Sequence, residues 1–318
     1  MKAVVFSGGE VIWSERPDPQ PGPRELLVRV EAAGINRADL LQKAGHYPPP
    51  SGVPDDQPGL ECAGLVEATG TAVERFAPGD RVMSLLAGAG QAELALVDER
   101  VAMAVPQSCS TVDAGGFPEA FATAYDALFS QGRLSIGERA LVTGAAGGVG
   151  MAGVQLAVAG GARVVASVRH DELRDGVAGL GATSVVPDEA FAHGPFDVVL
   201  ELVGGPGVPS ALAALAPQGR IVVIGIGAGG RVELDLGALM HRRAVLRGST
   251  LRTRSLEEKA VLARQLENHV LPLLDAGKVK VIVAATFPFE KAAEAYDRFE
   301  TGHKFGKIVL TSLPVATP

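Results

Sequence analysis

Residues 141–150 read LVTGAAGGVG: a short apolar run, a cluster of small residues, and then the helix-forming stretch VGMAGVQLAVAGG. Ala145, Gly147 and Gly150 fall on the three positions of the G-x-G-x-x-G/A fingerprint, with alanine in the first. Gly147 would let backbone N–H groups approach a pyrophosphate at the start of the helix, and Gly150 would let that helix pack closely on the strand. The candidate cradle is therefore Ala146, Gly147, Gly148, Val149 and Gly150. A Gly-rich loop that serves packing alone is the competing account. The strand before the turn and the helix after it favour phosphate.

Moving outward, strand and helix patterns alternate: helical EAFATAYDALF, strand RALVTG, the turn and its helix, strand ARVVASV, helix DELRDGVAGLG, and strands TSVV, FDVVLELV and RIVVIG. This rhythm predicts βαβ units in a doubly wound parallel sheet, the α/β dinucleotide-binding architecture. The preceding third is different. LLVRVEA at 26–32, AGLVEATG at 63–70 and DRVMSLL at 80–86 are short runs bounded by Pro or Gly, as in a mostly β domain, with a short helix over 36–45 capped by Asn36 and ended by Gly45. One long helix is expected over about 255–276. The last forty residues return to short strands around the helix EKAAEAYDRFE and are too few to bury a core alone, so they should fold back onto the β-rich domain. The expected domains are 1–121 completed by 270–318, and 122–269.

The second strand of the dinucleotide domain ends where an NAD enzyme usually sets Asp or Glu on the ribose 2′-hydroxyl. Here it ends in Ser167, Val168 and Arg169. Serine can donate to a 2′-phosphate and arginine can pair with it through a planar fork, so NADPH is the expected cofactor. The alternative leaves Arg169 solvated and puts Asp171 or Glu172 on the ribose.

Composition narrows the partners. The 318 residues are 47% hydrophobic and 20% charged, with a formal charge of −7, which disfavours nucleic acid and anionic membranes and favours a small-molecule substrate. Two cysteines, Cys62 and Cys109, are too few for a disulfide framework or a four-cysteine zinc cluster, and no run is long enough for a membrane span, so a cytoplasmic location is expected.

The segments GINRADLLQKAGHYPPP, PGLECAGLV, FAPGDRV, FPEAFATAYDAL, GAAGGVG and GKIVL occur in an order that resembles the medium-chain dehydrogenase/reductase superfamily, and within it the zinc-free quinone oxidoreductase (zeta-crystallin-like) branch. The resemblance spans essentially the whole chain and implies a GroES-like catalytic domain beside a Rossmann domain. It also implies NADPH-dependent, metal-free hydride transfer to a quinone in the interdomain cleft. An enoyl or enone reductase is the alternative; a crystallin-like structural or nucleic-acid-binding protein that binds NADPH is a more distant one. Zinc-dependent members resemble this chain but carry Cys near Asn36 and Gly-His-Glu where this chain has Gly59, Leu60 and Glu61. Asn36 and Leu60 cannot supply two of the three ligands a catalytic zinc needs, and the six histidines show no paired ligand spacing, so no metal is expected.

In the resembling enzymes Asn from NRAD and Tyr from the GxY loop enter the cleft, which makes Asn36 and Tyr47 the catalytic candidates. Asn36 would orient the nicotinamide or the acceptor, or serve only as a helix cap. Tyr47 would donate to a developing enolate or quinolate, or pack beside Pro48 to Pro50. The family likewise implies Thr123 near the nicotinamide ribose, although a mid-helix threonine can bond its own backbone. Gly225, the last residue of RIVVIG, joins the cofactor set. The segment 242–254 resembles the loop after the last sheet strand that approaches the nicotinamide end, offers Ser249 and Leu251, and pairs across a homodimer in many members. Its five arginines are read as solvated charges, and Asp39 as a first-turn carboxylate favoured by the helix dipole.

Overall fold

The computed structural model describes residues 1–314, which form two compact units. The first begins with the hairpin of β1 (Lys2–Ser7) and β2 (Glu10–Glu15), then β3 (Glu25–Ile35), β4 (Glu61–Thr69), β5 (Arg81–Leu85), β6 (Leu94–Asp98) and β7 (Ala102–Ala104). β3 alternates buried and partly exposed residues from Glu25 to Glu31, so the period of two places one face on the core. The expected helix is Arg37–Lys43, with Asn36 at its N-cap.

The second unit runs continuously over 120–250 and adds residues 303–305. Helix Pro118–Tyr125 continues past Ala120 into a π-helical turn, Asp126–Gln131. Six parallel strands follow: β8 (Arg139–Val142), β9 (Arg163–Ser167), β10 (Thr183–Val185), β11 (Phe196–Glu201), β12 (Leu215–Val223) and β13 (Val245–Gly248). Their order, β10-β9-β8-β11-β12-β13, is the 3-2-1-4-5-6 arrangement of the Rossmann fold. β8, β9 and β11 read as near-continuous apolar runs because helices cover both sheet faces. Their core is Leu141, Val165, Val199 and Ile221 with Phe196. β13 corrects the loop expected over 242–254, since residues 245–248 pair with β12 at the sheet edge.

The chain then returns to the first unit at Leu251, whereas the sequence pattern put the return at 270. The physical reason is helix Leu256–His269, whose Leu256 and Ala260 pack against the core of the β-rich unit while Arg264 donates to the Ala102 carbonyl at 2.7 Å. The single helix expected over 255–276 is two, Leu256–His269 and Leu271–Asp275. Pro272 separates them, because it has no N–H for the carbonyl four residues back and its ring crowds that carbonyl. β14 (Val283–Pro288) and β15 (Lys307–Thr311) complete the sheet in the order β14-β15-β3-β4-β5-β7, with β6 also on β3. Among the described residues no helix is long and apolar enough to cross a membrane.

Candidate functional site

The Gly-rich turn sorts its small residues by cause. Gly144, one position before the expected fingerprint, makes the sharp reversal with φ +59°, in the left-handed region that favours glycine. Ala145 is fully buried and donates its N–H to the Ser167 carbonyl at 3.1 Å, which ties the turn to the end of β9. At Gly150 a Cβ would lie 2.5 Å from the Gly144 oxygen, so helix Gly148–Ala159 needs glycine there to pack on the turn. At Gly147 a Cβ would meet only the Gly144 oxygen, at 3.6 Å. The fold itself makes no steric demand for glycine at Gly147. Ala146, Gly148 and Val149 complete the half-exposed rim at the helix N-terminus, where unpaired N–H groups favour an anion.

Beyond the turn, Ser167 is buried at the end of β9 and Arg169 is exposed, with Nε and Nη2 each 3.2 Å from His170 Nε2. Gly225 lies so close to the Leu202 backbone that a Cβ would overlap it, which accounts for glycine there by packing. Ser249 donates to Asp126 Oδ2 at 3.0 Å, so its hydroxyl is engaged within the Rossmann unit. Thr123 is buried in its helix, and Leu251 is buried where the chain rejoins the β-rich unit.

The β-rich unit holds a charged knot that motif reading missed. Lys307 Nζ, on β15, donates to Glu61 Oε1 at 2.5 Å, to Asn36 Oδ1 at 2.6 Å and to the Ile35 carbonyl at 3.2 Å. Asn36 Nδ2 donates to the same Glu61 oxygen at 2.8 Å, and Glu61 Oε2 accepts the Glu119 N–H at 2.9 Å. The Asn36 side chain is thus committed to Glu61 and Lys307, and the helix cap comes instead from Asp39, whose Oδ2 accepts the Asn36 N–H at 2.7 Å. A Cβ at Gly34 would overlap the Glu61 carboxylate, so the glycine of GINRADL makes room for the ion pair. Asp39 lies in the first turn as read, but it is fully buried, also accepts from Gly59 N–H, and burial pushes its carboxyl up to about 6. Burial and the Glu61 charge push Glu119 to about 8.

Tyr47 is half-buried beneath the Arg252 guanidinium, which lies 5.3 Å above its ring. Arg252 is itself buried and corrects the reading of the 242–254 arginines as solvated. It donates to the Tyr47 carbonyl, the Ala87 carbonyl and Gln42 Oε1, each at 2.7 Å, and so fastens the Tyr47 loop. Burial raises the Tyr47 phenol, keeping it a protonated donor. The signal for these residues lay in PGLECAGLV, GKIVL and GSTLRTR, but nothing in the one-dimensional pattern joins Glu61 to Lys307 or Gln42 to Arg252.

The chemistry of the knot bears on zinc. Where the resemblance puts two zinc ligands, this chain has the amide of Asn36 and the buried side chain of Leu60, and the neighbouring Glu61 carboxylate is already bonded to the Lys307 ammonium. Burial pushes the Cys62 and Cys109 thiols up to about 12 and about 11, leaving them protonated and poor ligands. The residues do not fit a catalytic zinc.

A parallel sheet wound in Rossmann order, with an anion-accepting glycine turn, joined to a mostly β unit with a polar knot, defines a two-domain dehydrogenase or reductase. Comparison with known proteins agrees. Family models described as alcohol dehydrogenase GroES-like domain and zinc-binding dehydrogenase match residues 22–131 and 175–310. Quinone oxidoreductase of Rattus norvegicus is 30% identical over 98% of this chain and 96% of its own length. Quinone oxidoreductase of Thermus thermophilus, crystallised also as its complex with NADPH, has a TM-score of 0.84 at 32% identity over 98% of this chain and 100% of that one. A NAD-dependent alcohol dehydrogenase has a TM-score of 0.85 at 27% identity over 98% of this chain and 100% of that chain. The chain belongs to the medium-chain dehydrogenase/reductase superfamily, in the branch of the quinone oxidoreductases, and is an oxidoreductase of that type.

Proposed function

We propose that the protein is an NADPH-dependent quinone reductase that needs no catalytic metal. The observation that carries this reading is the Asn36–Glu61–Lys307 knot, which leaves the chemistry to an acceptor that requires no Lewis acid. Bound NADPH supplies hydride to an electrophilic quinone, whose incoming charge is delocalised onto oxygen. The chain's own groups do the rest. Backbone N–H groups of Ala146 to Gly150 hold the pyrophosphate, while Ser167 and Arg169 hold the 2′-phosphate once the guanidinium turns from His170. Thr123 holds the nicotinamide ribose, as the resemblance implies. The Tyr47 hydroxyl donates to the acceptor oxygen as charge develops, and Arg252 fixes the loop that carries it. Asn36 acts through Glu61 and Lys307.

One observation favours the enone alternative. Reduction of an enone requires a proton for the adjacent carbon, and Glu119 keeps its proton up to about pH 8. The test is NADPH oxidation with benzoquinone against an α,β-unsaturated ketone, before and after exhaustive chelation. The quinone is expected to be turned over faster, at a rate unaffected by chelation. A faster enone rate that Glu119→Gln suppresses selectively selects the alternative, and no turnover with either leaves the non-enzymatic reading.

We also propose a homodimer. All four residues of β13 are exposed, and in the preceding helix, Leu236–Arg242, Leu236 and Met240 are 65% and 76% exposed. An apolar sheet edge of this kind invites pairing with a second copy.

A further inference from the structure

We propose that His170, Glu172 and His303 form a binding site for a divalent transition metal on the Rossmann unit. Among the described residues these three are the set of His, Cys, Asp or Glu side chains close enough to share an ion, with one ligand atom of each lying within 4.8 Å of the others. The fold builds the site from two places. His170 is the N-cap of helix Asp171–Ala178 and Glu172 lies in its first turn, whereas His303 arrives from 131 residues beyond Glu172. Phe305 docks that arriving segment: its ring packs against Gly176, where even a Cβ would come within 3.1 Å. His303 sits in the left-handed region at φ +45°, a conformation uncommon outside glycine, and its ring lies 3.7 Å from that of His170, centroid to centroid. Its Nδ1 is 2.9 Å from Glu172 Oε1.

A surface ion pair would account for His303 and Glu172, but not for a second imidazole packed against the first at an interplanar angle of 40°. Two imidazoles and a carboxylate are the ligands preferred by Zn²⁺, Ni²⁺ and Cu²⁺, and ligands of a tetrahedral zinc stand roughly 3.4 Å apart, close to what these partly exposed side chains already show. His170 Nε2 faces the Arg169 guanidinium, whose Nε and Nη2 each lie 3.2 Å from it. A metal on Nε2 would displace Arg169 and take its place, leaving the fourth position to water. The sequence conceals the site because no short spacing links His170 to His303. It takes no part in hydride transfer, so stripping it and retaining quinone turnover are compatible.

The experiment is calorimetric titration of zinc chloride into the chelator-treated full chain at pH 7.5. One equivalent is expected to bind with micromolar affinity. His170→Ala and His303→Ala should each weaken it at least ~10-fold, and Glu172→Gln by less. Arg169→Ala should tighten binding by removing the competitor, a gain that no unfolded variant could produce. Absence of saturable binding up to about 1 mM zinc, or binding unchanged in both histidine variants, overturns the proposal.

Discussion

Gly147 and Gly150, on one turn, are glycine for different reasons, and substitution separates them. Gly150→Ala forces a Cβ into backbone 2.5 Å away and should destabilise the fold by about 1–3 kcal/mol in denaturant unfolding. Gly147→Val meets no such obstacle, so it should spare stability while weakening NADPH and NADH alike, since both carry the pyrophosphate. Arg169→Ala should instead cost roughly 10- to 150-fold in NADPH affinity, the loss of about 1.5–3 kcal/mol from a charge-assisted bond, and leave NADH unchanged. Titrating each dinucleotide into each variant reads both effects; equal weakening of both by Arg169→Ala would remove the 2′-phosphate reading and leave the fold untouched. Asp39 offers a pH signature. Burial moves its carboxyl from 3.8 to about 6, so between those values the folded state holds a proton that the unfolded state has released. Stability from this group therefore falls as pH rises through that window, by about 3 kcal/mol in total. Asp39→Asn has no such titration. The stability advantage of the parent over the variant should shrink by most of that amount, about 2.4 kcal/mol, from pH 4 to 7, and a pH-independent difference would contradict the assignment.

Among the elements, β13 carries the most exposed prediction. Light scattering at micromolar protein should give about twice the 32.7 kDa chain mass, and Leu246→Lys, which puts a charge on the free edge, should give monomers. A parent protein already monomeric would refute the pairing. This strand also marks where the sequence stops being legible. The buried parallel strands RALV and RVVAS announce themselves as apolar runs, and the alternation in ELLVRV announces a sheet with one face on the core. VLRG has four exposed residues, hence no period to read, and its place in the sheet comes only from pairing with β12. The glycine turn was legible for the opposite reason, since a sharp reversal at Gly144 and a close packing contact at Gly150 each impose a residue type within seven positions. Arg252, Glu61 and Lys307 are buried charges fixed by partners far along the chain, and local composition does not encode a partner.

The whole chain is threaded so that its first unit cannot close until its end is made. Residues 120–250 intervene before Leu251 leads back, and β15 then inserts between β14 and β3 with Lys307 at its start. Lys307 reaches back 246 residues to Glu61, whose carboxylate is fully buried. That contact ties the last strand to β4, beyond the ladder β15 already shares with β3, and its energetics follow from desolvation. Lys307→Met would leave Glu61 with the amide of Asn36 and the Glu119 N–H but no counter-charge, an uncompensated buried anion worth about 3–5 kcal/mol of lost stability. Glu61→Gln in the same chain removes that anion, so the double variant should recover a substantial part of the loss and give a coupling energy well above the error of a double-mutant cycle. Denaturant unfolding of the four proteins measures it. A Lys307→Met cost below about 1 kcal/mol, or a double variant no more stable than Lys307→Met alone, would mean that the knot is solvated or already neutral and that the closing of the sheet does not depend on it.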